Sequence, residues 1–179
     1  KKIEYVRLNL KNKIKLLKIL EKLKPDIIIH LSAQSTIDVV DKKKKDYYIN
    51  NYVVTKVLIE CIKKLKIPYL IFSSTAAVYK KKDIKIKETS KIFSSNSYGK
   101  SKIYCEKIVK KLNRNITKFC ILRFFNVASS IVENKIGEIH SPETHLIPLL
   151  IHSISNKKVF KIYGNNYPTE DGTCLRDYI

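Results

Sequence analysis

Apolar and polar residues follow two different periods along the chain, and the two periods themselves alternate. The segment Lys13–Leu23 carries leucines and isoleucines at helical spacing, and Pro25 follows soon after it. A stripe of that spacing predicts an amphipathic helix, which the proline ends. The β-branched run Ile27–Ile29 is typical of a buried strand of a parallel sheet. This part of the chain therefore predicts a helix followed by a strand.

The same alternation continues to the end of the chain. Helices are predicted over Tyr47–Leu65, Tyr98–Leu112 and Leu146–Ser155, and further strands over Glu4–Leu8, Pro68–Phe72, Phe119–Leu122 and Val159–Tyr163. Strands separated by helices indicate an α/β fold in which helices cover a parallel sheet. Because such sheets bind ligands beside the carboxyl ends of their strands, the residues after each strand are the candidates for function. These are His30–Ser35, Ser73–Thr75 and Arg123–Asn126.

Composition narrows the class of protein. The 179 residues are 44% hydrophobic and include 4 glycines and 5 prolines, which excludes disordered and collagen-like chains. No apolar run approaches the ~18 residues of a membrane span, and the first residues do not resemble a signal peptide. The four cysteines form no CxxC pair and have no histidine at ligand spacing beside them. This pattern predicts a reduced, cytoplasmic protein without a metal site.

The formal net charge of +20 is typical of proteins that bind nucleic acid. The basic residues are nearly all lysine, however, with only four arginines, and lysine, isoleucine and asparagine are frequent throughout. That distribution favours a compositional bias over a phosphate-binding face. A basic nucleic-acid-binding module stays an alternative, although the chain shows no helix-turn-helix, zinc or RNA-recognition motif. An inert fragment is a further alternative.

Two short motifs carry the candidate chemistry. Tyr98 and Lys102 are four residues apart on a predicted helix and therefore share a face. A lysine ammonium beside a tyrosine favours the phenolate, lowers the pKa of the phenol and makes it a usable acid and base. The hydroxyl run Ser73–Thr75 follows a strand and could hold a tyrosine or a substrate oxygen, although such runs also form ordinary turns.

In this order the motifs resemble the extended short-chain dehydrogenase/reductase family, the NAD-dependent epimerases and dehydratases. Further segments agree along essentially the whole chain, which begins where the family's third strand is expected. They are Lys24–Ala33, Tyr47–Asn51, Leu122–Ala128, Glu143–Pro148 and Tyr163–Ile179. The last two are more specific and resemble the members that interconvert UDP-glucose and UDP-galactose. Thr75, Ala76 and Ala77 stand where a sugar-nucleotide dehydratase needs an acid and a base, which argues against dehydration.

The resemblance implies a role for each matching residue. Tyr98 would be the catalytic base and acid, Lys102 would bind the nicotinamide ribose, and Thr75 would hold the sugar hydroxyl. NAD would be lined by Asn9, Leu10, Leu31, Ser32, Ala33, Gln34, Ser35, Asn50, Tyr98, Lys102 and Phe125. The UDP-sugar would be held by Thr75, Asn126, His145, Lys161, Ile162, Tyr163 and Arg176, with Arg176 on the diphosphate. For Arg123, a structural ion pair and a functional role are both open.

The implied reaction is the interconversion of UDP-glucose and UDP-galactose by oxidation and reduction at C4 through a 4-keto sugar. Another nucleotide-sugar epimerase or dehydratase of the family is the alternative. The implied fold is a doubly wound, Rossmann-type parallel sheet over residues 1–179, with 126–179 beginning the sugar-nucleotide region. No G-x-x-G-x-x-G motif occurs, so the chain is expected to lack the family's N-terminal glycine-rich start and most of its C-terminal substrate region. A homodimer through Tyr47–Leu65 and Tyr98–Leu112 is expected.

Overall fold

A three-stranded parallel sheet is the centre of the structure. The computed structural model describes residues 3–35, 44–80, 85–133, 136–141 and 143–179. The sheet has the order β1-β2-β3, where β1 is Ile27–His30, β2 is Tyr69–Thr75 and β3 is Lys118–Phe124. The five α-helices of the described residues are α1 (Lys13–Leu23), α2 (Lys44–Tyr47), α3 (Val54–Leu65), α4 (Ser97–Val109) and α5 (Leu146–Ser155). The expected α/β fold with a parallel sheet is therefore confirmed.

The ends of the helices are set by local chemistry. Asn12 caps α1, because its side chain accepts a hydrogen bond from the backbone N–H of Lys15 at 3.1 Å. Both α1 and α3 end at a lysine in the left-handed region, Lys24 with φ 44° and Lys66 with φ 53°. That conformation lets the last turn close before the chain enters the next strand.

Helices α1, α3 and α4 supply the residues that pack against the sheet. Along β2, Leu70, Phe72 and Ser74 are buried, while the residues between them are less covered. This alternation is expected for a strand, because successive side chains point to opposite faces. The core joins Leu70 and Phe72 to Leu16 of α1, Ile62 of α3 and Val109 of α4, among other residues. It fixes α4, and therefore the Tyr98–Lys102 face, against the end of β2.

Two predicted strands are absent from the structure. Among the described residues, neither the part of the chain over 4–8 nor 159–163 is a strand, so both predictions were wrong. Ile3 and Tyr5 are exposed, as are Val159 and Tyr163. Alternating side chains alone do not hold a strand, because its backbone groups need a neighbouring strand to pair with.

Strand β2 is longer than predicted. Ser73, Ser74 and Thr75 were expected to follow the strand, but they pair with Leu122, Arg123 and Phe124 of β3 and therefore lie within it. Thr75 is the last residue of β2 and caps a short 3₁₀ turn, Ala76–Val78, by accepting a hydrogen bond from the N–H of Ala77. The three hydroxyls are thus placed by the sheet.

The chain divides into two compact units, Lys1–Phe124 and Phe125–Ile179. The first contains the sheet and its helices. In the second, the backbone of Asn126 pairs with the C-terminal residues, donating to Asp177 O at 3.2 Å and accepting from Ile179 N at 2.9 Å. None of the described helices combines the length and the apolar composition that a membrane crossing needs.

Candidate active site at the carboxyl end of strand β2

Tyr98 is held at the start of α4 by the helix cap. Asn96 accepts a hydrogen bond from the N–H of Gly99 at 2.7 Å, which places Tyr98 in the first turn. A side chain at position 99 would collide with Ser94, and its Cβ would lie 2.7 Å from the carbonyl oxygen of Ala77. The absence of a side chain therefore lets α4 approach the turn that follows β2.

The side chain of Thr75 lies beside the hydroxyl of Tyr98. The predicted role of Thr75 at the sugar hydroxyl stays a prediction. Burial raises the pKa of Tyr98, and the side chain of Thr75 opposes that shift only in part. The ring of Tyr98 also lies 6.0 Å from the ring of Tyr47, which is buried beneath it. The Tyr98 phenol and the Thr75 hydroxyl therefore lie together at the carboxyl end of β2, where they could exchange a proton with a ligand.

Lys102 lies deeper than a surface lysine. Its residue is 3% exposed, its ammonium donates to the carbonyl oxygen of Ser73 at 2.8 Å and it lies 5.1 Å from the centre of the Phe72 ring. Burial lowers the pKa of Lys102. The sequence predicted that Lys102 would lower the pKa of Tyr98, but in this structure the pKa of Tyr98 is raised. Burial of the phenol is the largest cause of that shift, and the Lys102 ammonium contacts Ser73 and Phe72 instead.

Asn51 connects the loop after β1 to α4. Its amide accepts from the N–H of Gln34 at 2.7 Å, donates to the carbonyl oxygen of Gln34 at 3.2 Å and donates to Ser101 Oγ at 2.9 Å. Ser101 in turn donates to the carbonyl oxygen of Tyr98 at 2.7 Å. The sequence assigned a cofactor role to the neighbouring Asn50, whereas Asn51 is the residue that fixes the loop.

The conformation around Asn51 is a single π-helical segment, Tyr48–Val53, between α2 and α3. The sequence predicted one continuous helix here. Segments of this kind are often found at functional sites, because the wider turn changes the direction of the side chains. Here it accompanies the hydrogen bonds of Asn51 to Gln34 and Ser101.

A buried ion pair between Arg123 and Glu106 lies beside the end of β2. The sequence did not point to its carboxylate. Arg123 donates from Nε to Glu106 Oε1 at 2.9 Å and from Nη2 to Oε2 at 2.7 Å. Ser74 donates to Glu106 Oε1 at 2.6 Å, and Arg123 also donates to the Tyr79 hydroxyl at 2.9 Å. Of the two alternatives for Arg123, a structural ion pair and a functional role, this geometry supports the ion pair. A glutamate four residues after Lys102 and one of only four arginines were the available signals.

His30 is a second buried group that the sequence did not single out for its own chemistry. It is 4% exposed, its Nε2 lies 3.0 Å from Thr55 Oγ1, and its ring lies 5.7 Å from that of Phe72. Burial lowers the pKa of His30 to about 4, with a smaller contribution from the charge of Lys102. His30 is therefore a neutral imidazole near neutral pH, between β1 and α3.

The other predicted cofactor residues are placed as follows. Asn9 accepts from the N–H of Lys11 at 3.0 Å in the turn before α1, and Leu10 packs partly buried against the core. In the loop after β1, Leu31, Ser32 and Ser35 are exposed, whereas Ala33 and Gln34 are half-buried, as are Asn50 and Phe125. The structure joins only Gln34 of this set to the Tyr98 helix, through Asn51 and Ser101.

The predicted sugar-nucleotide residues other than Thr75 lie in the second unit. Asn126 donates from its amide to Asp177 O at 2.8 Å, and Arg176, next to Asp177, donates to Leu175 O at 2.8 Å. His145 contacts Glu143 and is followed by α5. The segment 161–163 is exposed and is not the end of a strand. Within this unit the structure brings Asn126 near the backbone of Arg176, and their functional roles stay predictions.

Comparison with known proteins gives the same family along the whole chain. Residues 1–179 match the model of the NAD dependent epimerase/dehydratase family. The UDP-glucose 4-epimerase of Streptococcus mutans is 41% identical over 157 residues, which are 86% of this chain and 47% of that protein. The chain therefore spans about half the length of such relatives.

Solved structures agree with this comparison. The UDP-glucose 4-epimerase of Brucella ovis in complex with NAD is 30% identical and superposes with a TM-score of 0.91, over 98% of this chain and 55% of that one. The enzyme of Bifidobacterium longum in complex with NAD+ and UDP is 26% identical, with a TM-score of 0.88 over 100% and 55% of the two chains. With its parallel sheet, its Tyr98 and Lys102 on one helix and a match over residues 1–179, the chain belongs to the NAD dependent epimerase/dehydratase family.

Proposed function

We propose that this chain supplies the acid–base centre of a nucleotide-sugar 4-epimerase that interconverts UDP-glucose and UDP-galactose. The observation that carries the proposal is the placement of Tyr98 beside Thr75 at the carboxyl end of β2, with the buried ammonium of Lys102 on the same helix. Support for the substrate comes from relatives and structural neighbours named UDP-glucose 4-epimerase. Since the chain spans about half of them, activity and substrate belong to this proposal.

The residues at this site fit NAD. The cofactor's ribose offers hydroxyl groups, and the structure offers a buried ammonium and a phenol on one helix face, beside a loop held by Asn51. Lys102 and Tyr98 would hold the nicotinamide ribose, and the other predicted lining residues would surround the rest. When bound, NAD accepts a hydride from the sugar and returns it.

The protein's own contribution is the movement of one proton at the sugar's 4-hydroxyl. Thr75 positions that hydroxyl, and Tyr98 takes its proton as the sugar is oxidised and gives it back as the sugar is reduced. Because burial raises the pKa of Tyr98, the phenol is protonated at rest and holds the proton that the sugar takes up when it is reduced. Its action as the base requires the positive charge of Lys102, which is the nearest buried cation on α4.

In the second unit we propose that Asn126, His145, Arg176 and the segment 161–163 contact the UDP-sugar, with the Arg176 guanidinium on the diphosphate. A planar guanidinium can make paired, charged hydrogen bonds to phosphate oxygens. Arg176 is exposed and donates a hydrogen bond from Nη1 to the backbone carbonyl of Leu175, so its guanidinium has further donors for an anion. Residues 126–179 would then begin the sugar-nucleotide region, and the homodimer stays a prediction.

The test measures conversion of UDP-galactose to UDP-glucose with a coupled dehydrogenase that consumes UDP-glucose. The chain is assayed alone and inserted in place of the matching half of the Streptococcus mutans relative. Tyr98→Phe is expected to lower kcat by about 10²–10⁴-fold, because it removes the general acid and base. Tyr104→Phe is the matched control, since Tyr104 is a 49% exposed tyrosine of the same helix.

Three results would contradict parts of the proposal. Equal loss in Tyr98→Phe and Tyr104→Phe would show a structural effect of the helix, not acid–base chemistry. A folded hybrid that binds NAD and converts another UDP-sugar, but not UDP-galactose, would overturn the substrate and keep the epimerase. A folded hybrid that neither binds NAD nor converts any sugar nucleotide would overturn the function.

A further inference from the structure

Four potential metal ligands converge in the segment that precedes α5. Glu138, His140, Glu143 and His145 each present one ligand atom, and these atoms all lie within 4.8 Å of one another. The four residues follow the spacing E-x-H-x-x-E-x-H. The spacing of the cysteines predicted no metal site, and these histidines and glutamates gave no recognised ligand motif in the sequence.

The distances within the cluster are close to those of a tetrahedral site. His145 Nδ1 lies 3.0 Å from Glu138 Oε1 and 2.8 Å from Glu143 Oε1. His140 Nδ1 lies 3.3 Å from Glu138 Oε1 and 3.7 Å from Glu143 Oε2. Around a zinc ion with bonds of about 2.0–2.1 Å, tetrahedral ligand atoms are about 3.3 Å apart. The four ligand atoms lie within 4.8 Å of one another, so the widest pair would have to close by up to about 1.5 Å to reach that spacing.

One carboxylate of the cluster is already oriented by the backbone. Glu143 Oε1 accepts hydrogen bonds from the N–H groups of Thr144 and His145, both at 2.8 Å. The second oxygen, Oε2, faces His140. Hydrogen bonds of this kind fix the direction of a ligand before the metal binds, as the outer partners of known metal sites do.

The charges of the cluster also match a divalent cation. The rings of His140 and His145 lie 4.6 Å apart. Because imidazole binds a metal in its neutral form, the cluster as a ligand set would have two negative charges and two nitrogen ligands. A divalent ion would balance those charges, and two imidazoles with two carboxylates suit zinc and its first-row neighbours better than magnesium or calcium.

We propose that Glu138, His140, Glu143 and His145 form a binding site for a late first-row divalent cation, with Zn²⁺ as the ion of best fit. Four protein ligands complete a tetrahedral shell, which is the pattern of a structural site without an open position for substrate. Bound metal would tie Glu138, His140 and Glu143 to the start of α5, because His145 occupies the N-cap position of that helix. The site shares only His145 with the residues proposed to contact the UDP-sugar, and its test uses neither NAD nor a sugar nucleotide.

The test titrates untagged protein with Co²⁺, whose visible absorption is strong in a tetrahedral site and weak in an octahedral one. We expect one equivalent to give the tetrahedral spectrum, Zn²⁺ to abolish it by displacement, and Mg²⁺ to have no effect. His140→Ala and Glu138→Gln are each expected to remove the tetrahedral spectrum. His152→Ala is the matched control, because His152 is an exposed histidine of α5 outside the cluster.

Thermal unfolding supplies a second readout. Zn²⁺ is expected to raise the Tm of the wild-type chain and of His152→Ala, but not that of His140→Ala or Glu138→Gln, since only a ligand bound to the folded state stabilises it. An octahedral spectrum, or a tetrahedral one that survives in His140→Ala and Glu138→Gln, would overturn the proposal. A sulfur-to-metal charge-transfer band would also overturn it, because it would assign the ion to the exposed Cys120 or Cys174.

Discussion

Glu106 is a buried carboxylate in a chain that has more than twice as many basic as acidic residues. Burial alone would raise the pKa of Glu106, but hydrogen bonds from Arg123 and Ser74 and the charge of Arg123 bring it below its ordinary value. The pair is therefore charged, with side-chain exposures of 2% for Glu106 and 12% for Arg123. Because Ser74 binds the same carboxylate, the pair fixes the residue next to Thr75.

Glu106→Gln removes the negative charge and leaves the Arg123 guanidinium buried without it. We expect the free energy of unfolding to fall by about 3 kcal/mol, the range for a broken buried pair. Glu60→Gln is the matched control. It breaks the Lys13–Glu60 pair, whose side chains are 50% and 38% exposed, and should cost less than about 1 kcal/mol. Urea unfolding measures both, and equal losses in the two variants would contradict the special role of Glu106.

The residues that could be predicted from the sequence were those whose chemistry is visible in a short motif. Tyr98, Lys102 and Thr75 were found because their spacing and order carry the signal, and the structure brings Tyr98 and Thr75 together. The buried hydrogen bonds of Glu106, His30 and Asn51 were not predicted from the sequence. Their partners lie 17 to 50 positions away along the chain, so the contacts exist only after the fold has formed.

At the scale of the elements, position 99 decides how closely α4 can approach the turn after β2. Gly99→Ala would place a Cβ against Ser94 and 2.7 Å from the backbone oxygen of Ala77. The serine side chain could move, but the backbone oxygen cannot do so without shifting the turn. We expect a loss of about 1–3 kcal/mol in the free energy of unfolding, the range for overpacked sites.

Gly137→Ala is the matched control for this prediction. A Cβ at position 137 would meet only Ser130 Cβ at 3.8 Å, which is an ordinary contact, so the substitution should change stability by less than about 1 kcal/mol. Urea unfolding gives the stabilities, and the hybrid assay of the Tyr98 variants gives kcat. If Gly99→Ala were as stable as Gly137→Ala, the close approach of α4 would not be a constraint.

The helices whose bounds were predicted correctly are those with an apolar stripe between clear end signals. Helices α1 and α5 begin and end where the apolar stripe indicated. The segments over 4–8 and 159–163 have the period of a strand but no strand beside them among the described residues, and they form none. Periodicity therefore predicts which face of an element can be buried, whereas formation of a strand also requires a partner.

At the scale of the whole molecule, the pH dependence of stability reports on His30. The unfolded histidine takes up a proton as the pH falls through about 6.5, whereas burial lowers the pKa of His30 in the folded chain to about 4. Between these values the unfolded state binds more protons, so stability is complete above about pH 6.5 and is lost as the pH falls towards 4. From pH 7 to pH 5, this one group should lower the free energy of unfolding by about 2 kcal/mol.

Between pH 7 and pH 5, the contribution of His30 to stability changes while those of the carboxylates do not. Glu106 and Asp171 have pKa values below their ordinary ones, so their stabilising contributions are lost only in more acidic solution. His30→Gln cannot take up a proton and should flatten the pH profile of urea unfolding across this window. His152→Gln, at an exposed position of α5, should leave the wild-type slope intact. A wild-type slope that persists in His30→Gln would mean that another group sets it, and that the buried imidazole between β1 and α3 does not control acid stability.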